Sequence, residues 1–396
     1  MGFLTGSISF ERFRVEGPKV RQFGAEHLEI LQRFAIGQVE SSSLDEAQVG
    51  FAAGRHLLDL DFRLEKNILN DVLHCGVRID TNKVPAALRK AWLEMELEAM
   101  GAENPSGRPT KVQRQQAKEA LEARCEEEAR DGKFRRMQHF PVLWDASQSI
   151  LYLGGSSATA LENCAGLFER AFDLSLERIT SGRLAEQWAA EAKKQDKLED
   201  LVPSVFHADE PEAQIAWLNK AAANFDFMGN EFLMWLWWSL ETQGGKIALP
   251  DGTEAAGMLN RTLSLECPQG ESGKETITAE APVALPEALH AIRSGKLPRK
   301  TGVLLVRDGV QHEFVLQAET FAVSGARIQL SESGDKAGSG AAEDRVEGLR
   351  HLAETIELLF AAFCKRRTAK AWNADLQQIR SWVQKNAKEV KKRTAA

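Results

Sequence analysis

No pair of cysteines in this chain sits close enough to suggest a shared metal. Its five cysteines, Cys75, Cys125, Cys164, Cys267 and Cys364, are scattered and odd in number. None forms a C-x-x-C pair, which removes the zinc-site spacing and fits a reducing, cytoplasmic setting. No apolar run reaches the roughly 18 residues that a membrane helix needs. The opening MGFLTGSISFERFRV alternates like a strand and lacks a signal-peptide core, so a soluble intracellular chain is expected and no membrane partner. An excess of positive charge is also missing. The formal net charge is −7, which argues against bulk capture of nucleic acid and leaves room for a local basic patch.

Catalytic signatures are equally scarce. YLGGSSATA has the strand–loop–helix order of a phosphate cradle, but it lacks the P-loop lysine and the G-x-G-x-x-G spacing. A capped helix start explains it more simply. His74 beside Cys75 reads as a packed pair before it reads as a nucleophile with its base. Glu191-x-Lys193 has the tail of a nuclease motif, but it falls in a helical pattern. Asp59 and Asp61 in LDLDF would share one face of a strand, a spacing that can hold a divalent cation. A solvated strand face is the plainer account. No cofactor, metal ligand set or catalytic residue is therefore expected, and a metal-dependent DNA exonuclease built on Asp59 and Asp61 is the alternative.

What the chain does have is a cationic stretch from Asn104 to Asp145. A Pro/Ser/Gly turn leads into a strongly polar helix with Arg108, Lys111, Arg114 and Lys118 near its start. The acids cluster later, at Glu126 to Glu128. An Asp131-Gly132 break then presents Lys133, Phe134, Arg135 and Arg136 before the apolar PVLWD. Few apolar residues support the helix, so a globular core does not account for it. Phe134, flanked by charge at a loop tip, looks poorly placed for its own chain's core. Without a helix-turn-helix, zinc finger or aromatic RNA-binding signature, such a surface would meet phosphates without reading sequence.

Elsewhere the pattern alternates between the two periods. Strands are expected over Phe3 to Val15, in VGFAAG, HLLDLDF and VLHCGVRID between Gln48 and Asp80, and in PVLWD and SILYLGG. Helices are expected at Glu26 to Ile36, at Val84 to Met100 with Pro85 in the first turn, and after a Ser156 or Ser157 cap to about Phe172. Further helices are expected at Ala185 to Asp196 and Pro211 to Phe227. EFLMWLWWSLE is the most hydrophobic stretch, and its tryptophans cannot all face one way, so some should meet a second lobe or a partner. Residues 244–331 read as β-rich, Ser333 to Gly340 as a linker, and the end as two helices with a basic tail after Arg367. Three regions follow: 1–182, 183–332 and 341–396.

The run from Val77 to Ile179 resembles the RdgC family of bacterial recombination-associated proteins. The similar features are LRKAWLEMELEAM, the G-R-x-x-K turn at Gly107 to Lys111, Phe134 to Arg136, VLWD with ILYLG, and ALENCAGLFERAF. Weaker similarity lies in GFLTGSISFERFRV, TGVLLVRDGVQHEFVLQ and RVEGLRHLAETIELLFAAF. The resemblance implies an α+β fold of antiparallel sheets with long helices, forming a ring-shaped homodimer. Such rings bind double-stranded DNA through a positively charged hole, without sequence preference, and restrain the strand-exchange recombinase on the nucleoid. Phe134 matches the aromatic that closes one dimer contact, and Arg108 and Lys111 match basic positions facing the hole. Arg114, Lys118, Arg135 and Arg136 join them on charge pattern alone. The chain departs from the family in an expanded 185–299 region and in its basic tail.

Overall fold

The computed structural model describes residues 2–38, 47–130, 132–207, 225–267, 273–328 and 339–394, with the backbone alone at 339 and 385–394. In chain order the described elements begin with β1 (Ile8–Glu16), α1 (Ala25–Arg33), β2 (Gln48–Ala52), α2 (Leu64–Asn67), β3 (Ile68–Leu69) and β4 (Val72–Asn82). The helices α3 (Ala86–Ala102) and α4 (Lys111–Arg130) precede β5 (Arg135–Asp145), β6 (Ile150–Leu153), α5 (Ala158–Phe172) and β7 (Ser175–Arg178). There follow α6 (Ser181–Glu191), α7 (Gln195–Glu199), α8 (Phe227–Thr242), β8 (Lys246–Ala248), β9 (Glu254–Glu266), β10 (Glu275–Thr278) and α9 (Pro286–Arg293). The chain closes with β11 (Leu297–Arg307), β12 (Val310–Gln317), β13 (Val323–Arg327), α10 (Ser339–Arg367) and α11 (Trp372–Thr394). The fold is α+β with antiparallel strand pairing, the class that the resemblance implies.

Two compact units emerge. The first comprises Met1–Glu16, Gln148–Ser156 and Leu176–Ala396, and the second Gly17–Ser147 and Ser157–Ser175. The three regions read from sequence cut across this division, because β1 and β6 pair with each other and belong to the first unit.

In the first unit the strands run in the order β10-β9-β11-β12-β13-β1-β6, with β8 on β9 and β7 on β1. Helix α8 is buried on every side from Phe227 to Leu240. Its rings find partners within the unit: Phe232 lies 5.8 Å from Phe321 and 5.4 Å from Phe360, and Trp237 meets Trp382 edge-on at 5.3 Å. This corrects the expectation that the tryptophans seek a second lobe or partner, since a helix apolar all round is simply a central one. Gly229 allows its close approach, because a Cβ there would sit 1.8 Å from the Ala318 carbonyl oxygen. The buried Glu231 is balanced by Arg367 at 2.5 Å. Trp372, Ile379 and Val383 of α11 are buried as well, so the tail's first turns are core and not a free basic arm.

In the second unit β2, β4 and β5 form an antiparallel sheet, with β3 folded back on β4. The register puts Phe51, Val77, Cys75, Val142 and Trp144 on one face. Helices α1 and α5 cover it, with Phe168 5.5 Å from Phe51 and 5.9 Å from Trp144. Ser157 caps α5, its hydroxyl accepting from the Ala160 amide at 3.2 Å, as expected. HLLDLDF, by contrast, is not a strand. Asp59 folds it into a loop by accepting from the Arg55 and Asp61 amides, and such local side-chain bonds compete with a ladder. The expected helix over 211–224 and the linker over 333–338 lie outside the described residues.

Candidate nucleic-acid interface

Helices α3 and α4 form an antiparallel hairpin in the second unit, and local chemistry fixes its tip. The Asn104 side-chain amide donates to the Arg108 carbonyl at 2.8 Å and to Gln113 Oε1 at 2.7 Å. Thr110 and Gln113 close a reciprocal capping box: the Thr110 hydroxyl accepts from the Gln113 amide at 3.3 Å, and Gln113 Oε1 accepts from the Thr110 amide at 2.9 Å. Gly107, at φ +64°, makes the turn that a side chain would strain. The first helical residue, enclosed by this box, is Lys111.

Helix α4 is anchored by a narrow stripe, Ala117, Leu121, Cys125 and Ala129, spaced four apart and buried. Leu121 and Cys125 pack with Val84 and Trp92, and the Arg124 guanidinium lies 4.4 Å over the Trp92 ring. The sequence reading that a core cannot account for this helix is therefore too strong. Small residues at a four-residue spacing hide a stripe that a count of large apolar residues overlooks.

The cations occupy what the stripe leaves free. Arg108, Lys111, Arg114 and Lys118 are exposed, and no described residue forms an ion pair with any of them. Lys111, Arg114 and Lys118 fall within an arc of about 60° on an ideal helix. The first turn of α4 carries no acid. Cations there face the positive end of the helix dipole, an arrangement that costs stability until an anion relieves it.

Arg135 and Arg136, also exposed, stand at the start of β5, opposite Asn82 and Thr81 of β4. They are not alike. Arg135 is tied to the buried Asp80 at 2.7 Å, which also takes two bonds of 2.7 Å from Arg78. No described residue forms an ion pair with Arg136. Lys133 pairs with Glu128 at 2.8 Å. Lys83, just beyond β4, adds an exposed cation to this end that no charge run betrayed, since only strand pairing brings it beside β5. The six predicted cations thus do not form one cluster. Arg108, Lys111, Arg114 and Lys118 gather at one end of the 20-residue α4, and Arg135 and Arg136 follow its other end, which lies about 18 Å beyond Lys118 at 1.5 Å per residue.

Phe134 is half-buried against Val84, Trp92, Leu121 and Cys125, with Leu88 and Leu93 beside it. The local argument that it could not reach its own chain's core fails, because the turn at Gly132 (φ +71°) swings it back onto the hairpin. Asp131 lies outside the described residues.

The other sequence candidates take structural places. Lys66 clamps both oxygens of Asp59, at 2.9 and 3.0 Å, and Arg63 holds Asp61 at 2.7 Å. Burial pushes the Asp59 carboxyl up, but Lys66 and two backbone amides outweigh it and hold the group below its ordinary range. The two carboxylates line one pocket with Arg55, His56 and Glu65, but each is committed to a cation. Among the described residues no group of three or more His, Cys, Asp or Glu side chains could hold a metal ion. Cys75 and Cys164 are buried, and burial drives both thiols upward, Cys164 to about 12, so neither is an activated nucleophile. No helix of the described residues is long and apolar enough to cross a membrane. No protein-family model matches the chain, and no curated protein matches it.

Proposed function

We propose that this chain binds double-stranded DNA without sequence preference, as a non-enzymatic protein. In this reading it acts as an RdgC-like ring-shaped homodimer on the nucleoid and modulates homologous recombination by restraining access of the strand-exchange recombinase. The observation that carries the DNA-binding part is the exposure of the six predicted cations on the α3–α4 hairpin and the start of β5, five of them without an ion pair to any described residue. Side chains of this kind suit phosphates, which need charge and reach but no base-specific geometry. The ring, the recombinase and the role of Phe134 at a subunit contact rest on the sequence resemblance.

Gel retardation in Mg²⁺ with labelled duplex and scrambled competitors tests the reading. Intact, retarded DNA with competitors of any sequence equally effective is expected. Each phosphate contact contributes about −0.9 to the slope of log K against log salt. Replacing Lys111, Arg114 and Lys118 together by Gln should therefore flatten the slope by about 2 to 3. A flat salt response in the native chain, shortened DNA, or a triple variant that binds unchanged refutes it.

A further inference from the structure

A groove at one end of the first unit's sheet gathers Lys300 of β11, Gln317 of β12, Ser324 of β13 and the loop Gly154-Gly155-Ser156 that follows β6. The register explains the convergence. Lys300 stands directly opposite Gln317 in the β11–β12 ladder, so the two side chains share a face. Ser324 stands opposite Val315 on the next strand over. On β1, Ser9 ties the rim down, its hydroxyl accepting from the Gly325 amide at 3.0 Å.

Three properties of this groove point to a ligand. Lys300 is exposed and makes no ion pair with any described residue. The side chains of Gln317, Ser156 and Ser324 likewise make no hydrogen bond with the described residues. Among the described residues no carboxylate lines the groove, so no lining side chain there repels an anion. The two glycines leave the loop backbone open to close approach. The motif YLGGSSATA lacks the lysine of a phosphate loop, and the fold brings one from a distant strand.

We propose that this groove binds a phosphate group. Lys300 would supply the charge as a compact ammonium. The amide and hydroxyl donors would take the remaining oxygens, and a hydrogen bond to a charged group is the stronger kind. The site needs neither the α3–α4 hairpin nor DNA binding there, so it stands or falls apart from the function proposed above. Phosphate in this groove could come from a free phosphate ester or from a nucleic-acid backbone.

The test is phosphorus NMR of inorganic phosphate titrated with the full chain, against chloride at matched ionic strength. Line broadening is expected with the native chain. Lys300→Gln should weaken binding about tenfold or more, as loss of a charged hydrogen bond does, with an unchanged melting curve. Lys300→Arg should retain most of it, and Gln317→Leu should weaken it less. The variant with Lys111, Arg114 and Lys118 replaced by Gln should bind phosphate as the native chain does. Competition by a nucleoside monophosphate assigns the site to free esters, and competition by a short duplex alone assigns it to a backbone phosphate. Absence of broadening beyond the chloride control, or an unaltered response in Lys300→Gln, overturns the proposal.

Discussion

Mild acid should destabilise the second unit, where burial lowers the pKa of His27, His74 and His139, and His74 is the most deeply buried of the three. His74 stands on β4 with 2% of its surface exposed, and neither ring nitrogen has a hydrogen-bond partner among the described residues. The space around it is tight, since a Cβ on Gly54 would lie 2.7 Å from a ring carbon. Burial, and then the charge that His139 carries when protonated, hold its pKa down to about 4, against 6.5 ordinarily. The unfolded chain therefore takes up this proton near pH 6.5 and the folded chain only near 4. Over that window the unfolded state holds more protons, so stability falls as the pH is lowered. The full contribution, present above pH 6.5 and gone below 4, is about 3 kcal/mol at 1.36 kcal/mol per pKa unit. Between pH 7 and pH 5 the loss due to His74 is about 2 kcal/mol, a factor of roughly thirty in the folding equilibrium. Urea denaturation at the two pH values, followed by hydrogen exchange of β4 amides, measures it. His74→Leu should reduce the difference by about 2 kcal/mol, and the ring's own NMR titration should have its midpoint near 4. A midpoint near 6.5, or the same pH dependence in His74→Leu, would refute the reasoning.

Three further outcomes are expected. Truncation after Arg367 should unfold or strongly destabilise the first unit, because it removes the buried Trp372, Ile379 and Val383, and a melting temperature near native would count against this. Phe134→Ala should lower the unfolding free energy of the second unit, read by urea denaturation, by about 1–2 kcal/mol, less than the 3–5 of a fully buried ring, and sedimentation equilibrium tells whether a second chain also meets this residue. Glu231→Ala should cost about 3–5 kcal/mol by stranding Arg367 in the core, and a melt unchanged from native would show that the pair is solvated.

The parts of this fold that the sequence made legible are those governed by one local rule. Ser157 before an apolar-periodic run is a cap, and VLHCGVRID and PVLWD are strands because β-branched and aromatic residues cluster there. The exposed cations at Arg108, Lys111, Arg114 and Lys118 follow from a charge run with too few large apolar neighbours to pull it inward. Long-range pairing decided the rest. Asp59 looks like a strand residue until Lys66 and two amides claim its oxygens. Phe134 looks stranded among charges until Trp92 and Leu121 arrive from other elements. Lys83 and Lys300 carry no local signal at all, since each gains its neighbours only through strand register.

The acid-free first turn of α4 has a consequence for how the hairpin responds to its surroundings. Lys111 and Arg114 press against the positive pole of their own helix, so the unliganded tip is the electrostatically poorer state. Added salt screens that repulsion and should firm the free hairpin, slowing amide exchange near Thr110 to Arg114. The same salt competes for any polyanion and should loosen a complex. Rigidity of the empty tip and affinity for an anionic partner are thus set against each other by one variable, and a bound polyanion would act on the tip as an external N-terminal cap.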